Sequence, residues 1–363
     1  MAHLSGALLV DCPASALNNA GADAASRNDN VVAVKKIKTK SGIFPYVSAQ
    51  AFRFWLRDTL TGIQGWTPSP IFREAKVAYT DANPIEYAED DIFGYMRAPS
   101  TKADAIKARE DNELLKTATP IESGVTLTRS SVLKVSTLIS LTSCDPEPDF
   151  GVMARHEGNP VPFEHEFYRT TLVGLFSVDL RMLGRFYHVD RTGYKHLDSV
   201  RKELAEKKGL AKYDRDPGKA YELSFNERKE RLKQLLEGIA KISGGAKLSL
   251  HYTDVSPRLL LLGVAKGGNH LFGTAIGAER NGLPKINIEA IKEVARVYKG
   301  DLLSGFYAGL AQGYLDEQRA TIKETLENLA KQDSGQRYIL SHPVEAVNAV
   351  IEDLEKHTEA WLA

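Results

Sequence analysis

The 363-residue sequence predicts a protein of the α+β class. Three observations lead to this class: an apolar strand pattern at residues 3–12, a second buried run at 259–262, and amphipathic helical patterns at 49–61 and in the last fifty residues. Strands and helices are interspersed, but they do not alternate as in doubly wound folds. The hydrophobic fraction of 43% and the charged fraction of 26% are ordinary for a globular protein.

Bulk properties restrict the functional classes. No apolar run of 18 residues occurs, so no transmembrane helix is predicted, and the N-terminus lacks the basic region of a signal peptide. Two lone cysteines, Cys12 and Cys144, favour a reducing cytoplasm without a disulfide framework. The nine histidines are scattered without ligand spacing. We therefore expect neither a metal nor another cofactor.

The first elements in order are a strand, a loop and a helix. Residues 3–12 read as a buried strand, 16–23 as a loop of turn formers and small residues, and 31–38 as a second extended stretch. The helix at 49–61 is expected to begin at Ser48, a plausible N-cap, because Pro45 prevents an earlier start. Gly62 is expected to end it.

This helix has two contrasting sides. Its inward side is predicted from residues at helical spacing, namely Phe52, Trp55, Leu56 and Thr59. Gln50, Arg53 and Arg57 fall on the other side, where Arg53 and Arg57 are neighbours at i and i+4. Phe54 also lies there and could stack on a base or fill a subunit contact.

Positive charge is concentrated around this helix. From Arg27 to Arg57 there are seven Lys or Arg and one acid, Asp29, whereas the whole chain balances 47 basic with 47 acidic residues. Such an excess favours a polyanion as ligand, most simply a nucleic-acid backbone. The alternative is a solvated basic helix with one partly covered Phe.

The middle of the chain is predicted from alternation and charge. Residues 64–117 read as an irregular excursion, and 125–141 alternate apolar with polar side chains. The alternation breaks at Arg129, which we interpret as the tip of a projecting hairpin; an ordinary hairpin with a polar turn is the competing interpretation. Residues 163–187 contain a long strand, and 190–233 are charge-dense and then helical, typical of a solvated face.

A glycine-rich loop follows the strand at 259–262. No acid occurs between Val255 and Ala278, and Lys266 and Arg258 supply charge, so an anion could approach the backbone at 263–273. The loop has neither the Walker ending nor the GxGxxG spacing. Helices are predicted at 288–298, 321–332 and 343–361.

Enzyme signatures are lacking: there is no GxSxG, HExxH or CxxC motif. Asp23 and Asp29 lie in a loop near basic residues, which could suit acid-assisted phosphodiester cleavage, although loop aspartates are more often solvated turns. We expect a protein that is not an enzyme, with a metal-dependent RNA endonuclease as the alternative and a free nucleic-acid-binding regulator as a third possibility.

The order of several segments resembles one protein family. The first strand, the Asn18–Gly21 loop, the Lys35–Lys38 stretch, residues 45–57 and residues 133–140 together resemble the DevR family of CRISPR-associated proteins, the repeated backbone subunits of a type I (I-B-like) Cascade complex. The resemblance implies a ferredoxin-like (RRM-type) palm with helical finger insertions and a β-hairpin thumb. No RNP-type motif is present, so base stacking of the usual RRM kind is not expected.

The resemblance also implies a layout of the chain. Residues 1–363 would form one elaborated RRM-like domain, with a finger-type insertion at 64–117, a thumb hairpin at 118–142, a charged helical insertion at 188–245 and C-terminal helices at 315–363. Several copies would polymerise along one guide RNA (crRNA), in contact with other Cascade subunits and, through the guide, with target DNA. Type III relatives cut RNA with a loop aspartate, but the type I resemblance argues against cleavage.

The implied RNA contacts fall in four groups. Seven residues would hold the guide phosphates: Lys35, Lys36, Lys38, Ser48, Gln50, Arg53 and Arg57. Asn18 and Asn19 would reach the RNA from their loop, and Arg129 and Lys134 from the thumb. The palm would contribute Lys266, Gly267, Gly268 and Asn269.

Overall fold

The computed structural model describes residues 2–22, 31–74, 77–100, 102–122, 124–155, 157–213 and 218–362. Its strands are β1 Ala2–Ser15, β2 Asn19–Ala22, β3 Val31–Val34, β4 Lys36–Thr39, β5 Gly42–Val47, β6 Ile71–Glu74, β7 Val77–Thr80, β8 Tyr95–Arg97, β9 Leu127–Arg129, β10 Leu133–Val135, β11 Leu138–Ser140, β12 Glu147–Met153, β13 Val161–Asp179, β14 Arg185–Tyr187, β15 Ala211–Lys212, β16 Ala220–Glu222, β17 Leu259–Lys266, β18 Ile276–Ala278, β19 Pro284–Ile286, β20 Leu302–Leu310 and β21 Ile339–Ser341. Its helices are α1 Ala49–Gln64, α2 Ala88–Phe93, α3 Ala103–Glu110, α4 Glu113–Lys116, α5 Ser199–Lys207, α6 Phe225–Ala240, α7 Ile288–Val297, α8 Asp316–Gln332, α9 Pro343–Lys356 and α10 Thr358–Leu362.

One mixed sheet of twelve strands organises the described chain, and its path runs β21-β20-β17-β1-β13-β11-β5-β4. β1 lies at the centre, antiparallel to both β13 and β17. β21 joins the far edge in parallel with β20. Strands interspersed with helices around a mixed sheet confirm the predicted α+β class.

Two layers of helices cover the sheet, and the alternation of β1 explains them. Leu4 and Leu8 point into a core shared with α1, α6 and α9, whereas Ala7 and Leu9 point into a core shared with α7 and α8. Successive side chains of a strand face opposite sides, so a strand buried on both sides reads as the continuous apolar run seen in the sequence. The helix pair α1 and α6 therefore lies on the opposite face from α8.

Helix α1 matches its prediction at the start and differs at the end. The Ser48 hydroxyl accepts a hydrogen bond from the Ala51 amide at 3.3 Å, which confirms the predicted N-cap. All four residues predicted to face inward are buried. The helix continues past Gly62 and ends at Gly65, whose φ of 65° is the left-handed conformation that favours glycine at a helix end.

The prediction of a projecting hairpin with its tip at Arg129 is wrong. Within 118–142, β9 pairs with β8 and β10 pairs with β13, so these two neighbouring segments have different partners. A projecting hairpin exists at a different place: β12 and the first seven residues of β13 pair from Glu147↔Phe167 to Met153↔Val161. After Phe167, β13 continues as the partner of β1 from Tyr168 to Asp179.

Two other regions differ from their sequence interpretation. Residues 64–117 contain the β6–β7 hairpin, α2 and β8 rather than irregular chain alone. Helix α6 is not merely a solvated face, because Leu232, Leu235 and Leu236 lie in the core with α1 and α9. Among the described residues, no helix is long and apolar enough to cross a membrane.

Candidate nucleic-acid interface

Three sequence-distant segments meet at the N-terminus of α1. The Asn18 carbonyl oxygen accepts a hydrogen bond from the Lys35 amide at 2.9 Å, and the Lys35 carbonyl accepts one from the Tyr46 amide at 2.9 Å. The Asn18 side-chain oxygen accepts a third, from the Ser48 amide at 3.0 Å. Two backbone hydrogen bonds and the Asn18 side chain therefore hold the Asn18 loop, the lysine-bearing strand and the helix start against one another.

This arrangement leaves donors for an anion. The first turn of a helix has N–H groups without intrahelical partners, and the helix dipole adds partial positive charge there. Ser48 satisfies one such group, at Ala51, and Gln50 is exposed in the same turn. The start of α1 therefore suits a phosphate oxygen.

The lysines beside it differ in availability. Lys36 forms a close ion pair with Glu166, whose second oxygen also accepts from the Val34 amide at 2.9 Å. Lys35 is half-buried, while Lys38 and Lys40 are exposed at the β4–β5 turn. No described acid lies within ion-pair distance of Lys35, Lys38 or Lys40, which we call the lysine strip.

Asn19 adds an orphaned polar atom to the same place. Its side-chain oxygen is buried and has no hydrogen-bond partner within the described ranges. A buried amide oxygen without a partner is unfavourable, so a donor from a ligand would stabilise it. A ribose hydroxyl supplies such a donor, whereas a phosphate does not.

Arg53 and Arg57 do not project freely as predicted. The Arg53 guanidinium donates to the Phe93 carbonyl at 2.6 Å and to the Leu133 carbonyl at 3.1 Å. Arg57 forms an ion pair with Glu89 at 2.9 Å, and its guanidinium lies 4.2 Å from the centre of the Phe93 ring. Burial, followed by the charge of Arg57, lowers the pKa of Arg53 to about 10. Both arginines fasten α1 to α2, and Phe54 remains exposed between them.

Arg129 is also internal, which corrects its place at the tip of a hairpin. Its guanidinium forms a close ion pair with Asp91, and both side chains are fully buried. Arg231 reaches the other Asp91 oxygen at 2.7 Å. We call Asp91, Arg129 and Arg231 the Asp91 cluster; its two guanidinium groups share one carboxylate and also donate to backbone carbonyls, so they are engaged within the protein.

The glycine-rich loop lies at the other end of the sheet. Ala2 pairs with Lys266, whereas Asn18 follows the end of β1 at Ser15. At about 3.3 Å per residue, the 14 residues of β1 separate the two places by roughly 40 Å. The loop residues are exposed, as is Lys134 on β10; they are Lys266, Gly267, Gly268 and Asn269.

The candidate catalytic aspartates, Asp23 and Asp29, lie outside the described residues. The structure also brings together a set that the sequence interpretation missed: Asp149, His165 and His251 place one ligand atom each within 4.8 Å of the others. Their separations in sequence give no ligand motif, because the pairing of β12 with β13 and a distant turn create the cluster.

Comparison with known proteins identifies the family of this chain. The family model described as "CRISPR-associated negative auto-regulator DevR/Csa2" matches residues 10–272. The chain matches none of the curated proteins.

Two solved structures share the fold over 97% of this chain and 99% of theirs. One, "CRISPR RNA-guided surveillance complex", has 11% identity and a TM-score of 0.50; the other, "CRISPR RNA-guided surveillance complex, pre-nicking", has 12% and 0.51. At such identities the likeness concerns the fold, while the family match covers most of the sequence. The chain therefore belongs to the DevR/Csa2 family of CRISPR-associated proteins.

Proposed function

We propose that this protein is a non-catalytic, guide-RNA (crRNA) binding subunit of a Cascade-type surveillance complex, in which copies polymerise along the RNA and hold it for pairing with target DNA. The observation that carries the proposal is the lysine strip beside the start of α1. Contacts of this kind engage phosphate and ribose without reading bases, so one subunit would accept any guide. The solved structures of the same fold are titled as RNA-guided surveillance complexes, in line with this role.

Exposed apolar residues on the β12–β13 hairpin support self-association. Phe150, Val152, Met153 and Val161 are 63%, 47%, 54% and 44% exposed. Apolar side chains grouped on a projecting element are typical of a protein contact. In the proposal, this hairpin, rather than residues 118–142, acts as the thumb that reaches a neighbouring copy. The ferredoxin-like palm would be the part of the sheet around β1.

The test is charge reversal within the lysine strip. Full-length Lys35→Glu/Lys38→Glu protein, co-expressed with a guide RNA and the other complex subunits, should lose most co-purifying RNA, because each lost phosphate contact reduces affinity. The matched control is Lys323→Glu/Lys331→Glu, which makes the same charge change on α8, across the sheet. Equal RNA retention by both variants, with circular dichroism unchanged, would refute the proposal.

The competing functions are separated by two further measurements. Incubation of the assembled complex with complementary RNA and Mg²⁺ tests cleavage; regular cuts that disappear in Asp23→Ala or Asp29→Ala would favour the endonuclease. Native mass spectrometry tests the regulator that the family description names. A small oligomer free of guide RNA would favour that regulator, and a multi-copy particle with one RNA would favour the filament.

A further inference from the structure

We propose that Asp149, His165 and His251 form a binding site for a divalent transition metal, with Zn²⁺ as the preferred ion. The site joins the β12–β13 hairpin to the turn that carries His251. It goes beyond RNA binding and does not depend on it.

The three ligand atoms converge from three segments: β12, β13 and the turn that carries His251. Asp149 and His165 are directly paired across β12 and β13, and an Asp149 carboxylate oxygen lies 3.2 Å from Nε2 of His165. Nε2 of His251 lies 2.7 Å from Nε2 of His165 and 3.9 Å from the same carboxylate oxygen. Two imidazole nitrogens and one carboxylate oxygen are a donor set that suits zinc, leaving a fourth position for water.

The imidazole rings are held in place by aromatic neighbours. Phe163 stacks on His165 with ring centres 6.0 Å apart, and Phe167 stacks on His251 at 5.0 Å. The side chain of His165 is 3% exposed and that of Asp149 is 49% exposed, so the site is open on the carboxylate side. An ion and its water can therefore enter without unfolding the hairpin.

The hydrogen bond between the two imidazole rings is the contact that a metal would replace. Without a metal, a proton must lie between the two Nε2 atoms, because two lone pairs at 2.7 Å repel each other. When zinc binds both Nε2 atoms, that proton moves to Nδ1 of the same ring, and Zn–N distances of about 2.0–2.1 Å require the two Nε2 atoms to separate to roughly 3.3 Å.

The other nitrogen of His165 sets the strength of binding. Its Nδ1 is buried and has no hydrogen-bond partner in the part of the chain that the structure describes. Tightly bound structural zinc has ligands whose second nitrogen donates to a carboxylate or carbonyl. We therefore expect zinc that exchanges and is removed by EDTA.

A metal at this site would connect the β12–β13 hairpin to the region around the end of β1. The segment that carries His251 is tied to the end of β1, because the Ala246 amide donates to the Leu17 carbonyl at 3.0 Å and the Thr253 hydroxyl lies 2.6 Å from that of Ser15. A metal at His251 would therefore fix the direction of the hairpin relative to the Asn18 loop.

The test uses EDTA-treated, full-length protein without RNA. Zinc titration against a chromophoric chelator should give one ion per chain, and Co²⁺ should give the strong visible absorption of a tetrahedral site. His251→Ala and Asp149→Asn should each weaken zinc binding by about tenfold or more. His357→Ala, which removes an exposed histidine on α9's C-terminal cap, is the matched control and should bind like the wild type.

A second readout follows the hairpin itself. Zinc should slow hydrogen exchange of the amides in 147–153 in the wild type and in His357→Ala, but not in His251→Ala. Zinc binding that persists unchanged in both ligand variants, or no tetrahedral Co²⁺ spectrum in the wild type, would overturn the proposal and leave a hydrogen-bonded histidine pair.

Discussion

The lysine strip and the Asp91 cluster carry the same kind of charge in opposite surroundings. The lysines lie at the edge of the sheet, exposed or half-buried, without described acids in range. Arg129 is fully buried against Asp91, and Arg231 joins it from α6. A buried ion pair has already exchanged its water for protein partners, whereas an exposed lysine can exchange water for phosphate. Availability to a ligand, rather than the number of positive charges, therefore marks the candidate interface.

The largest effect is expected within the Asp91 cluster. Asp91→Asn leaves the fully buried Arg129 and the half-buried Arg231 without their shared counterion and should lower the free energy of unfolding by about 3–5 kcal/mol. Urea denaturation measures this. Asp58→Asn, the same change at an exposed position of α1, should cost less than about 0.5 kcal/mol. Similar urea midpoints for the two variants would show that the buried Asp91 contributes no more to stability than an exposed aspartate does.

The buried carboxyl of Asp90, next to Asp91 in α2, should make the stability of the protein depend on pH. Asp90 accepts from the Ser69 hydroxyl at 2.8 Å and the Asn83 amide at 2.9 Å, and burial raises its pKa to about 6. The folded protein therefore binds this proton more strongly than the unfolded chain, so the contribution to stability grows as pH falls from 7 through 6 and is complete only below the unfolded value of 3.8.

Asp90→Asn should remove that contribution, which amounts to about 3 kcal/mol at most. The measurement is the difference in unfolding free energy between wild type and variant at pH 7 and pH 5. A difference that does not change between these two values would show that Asp90 titrates normally.

Two substitutions at Ser48 distinguish the effect of helix capping on stability from the effect of local charge on RNA binding. Ser48→Ala should cost about 1 kcal/mol by removing the cap, with RNA affinity reduced only slightly. Ser48→Asp retains a capping oxygen and should keep the stability, but it places negative charge where a phosphate would bind. Thermal unfolding and RNA titration should therefore rank the two variants in opposite orders, and identical orders would remove the helix start from the interface.

The smallest effects come from single exposed or half-exposed cations. Arg57→Met should cost about 1 kcal/mol, through Glu89 and Phe93, without altering RNA affinity. Lys38→Gln should leave stability unchanged and reduce the salt dependence of RNA binding by about 0.7 in log–log slope. Filter binding at several salt concentrations tests both, and weaker RNA binding by Arg57→Met would restore that arginine to the interface.

Local features of the sequence predicted local structure well. The strand at 3–12, the Ser48 cap and the buried side of α1 depend on spacing and on neighbouring residues, and all three are found. The sequence predicts the end of α1 three residues too early, because Gly62 tolerates a helical conformation and only Gly65 of the two adopts the left-handed one.

The larger errors concern predictions that depend on distant partners. Arg53 is fastened by the Phe93 carbonyl, and Arg129 by Asp91, from segments 38 to 40 residues away. Nothing in the spacing of a basic helix indicates which acid or carbonyl the fold will bring to it. The same holds for His251, which lies 86 residues from His165 yet touches it.

Strand β13 joins the central sheet and the projecting hairpin without interruption over 19 residues. Phe167 closes the hairpin pairing and Tyr168 begins the pairing with β1, so no loop separates the two parts. A pull applied to the hairpin along this strand loads many interstrand hydrogen bonds at once instead of peeling them one by one. Mechanical force applied at the tip of the β12–β13 hairpin can therefore pass along β13 into the central sheet, without an intervening loop.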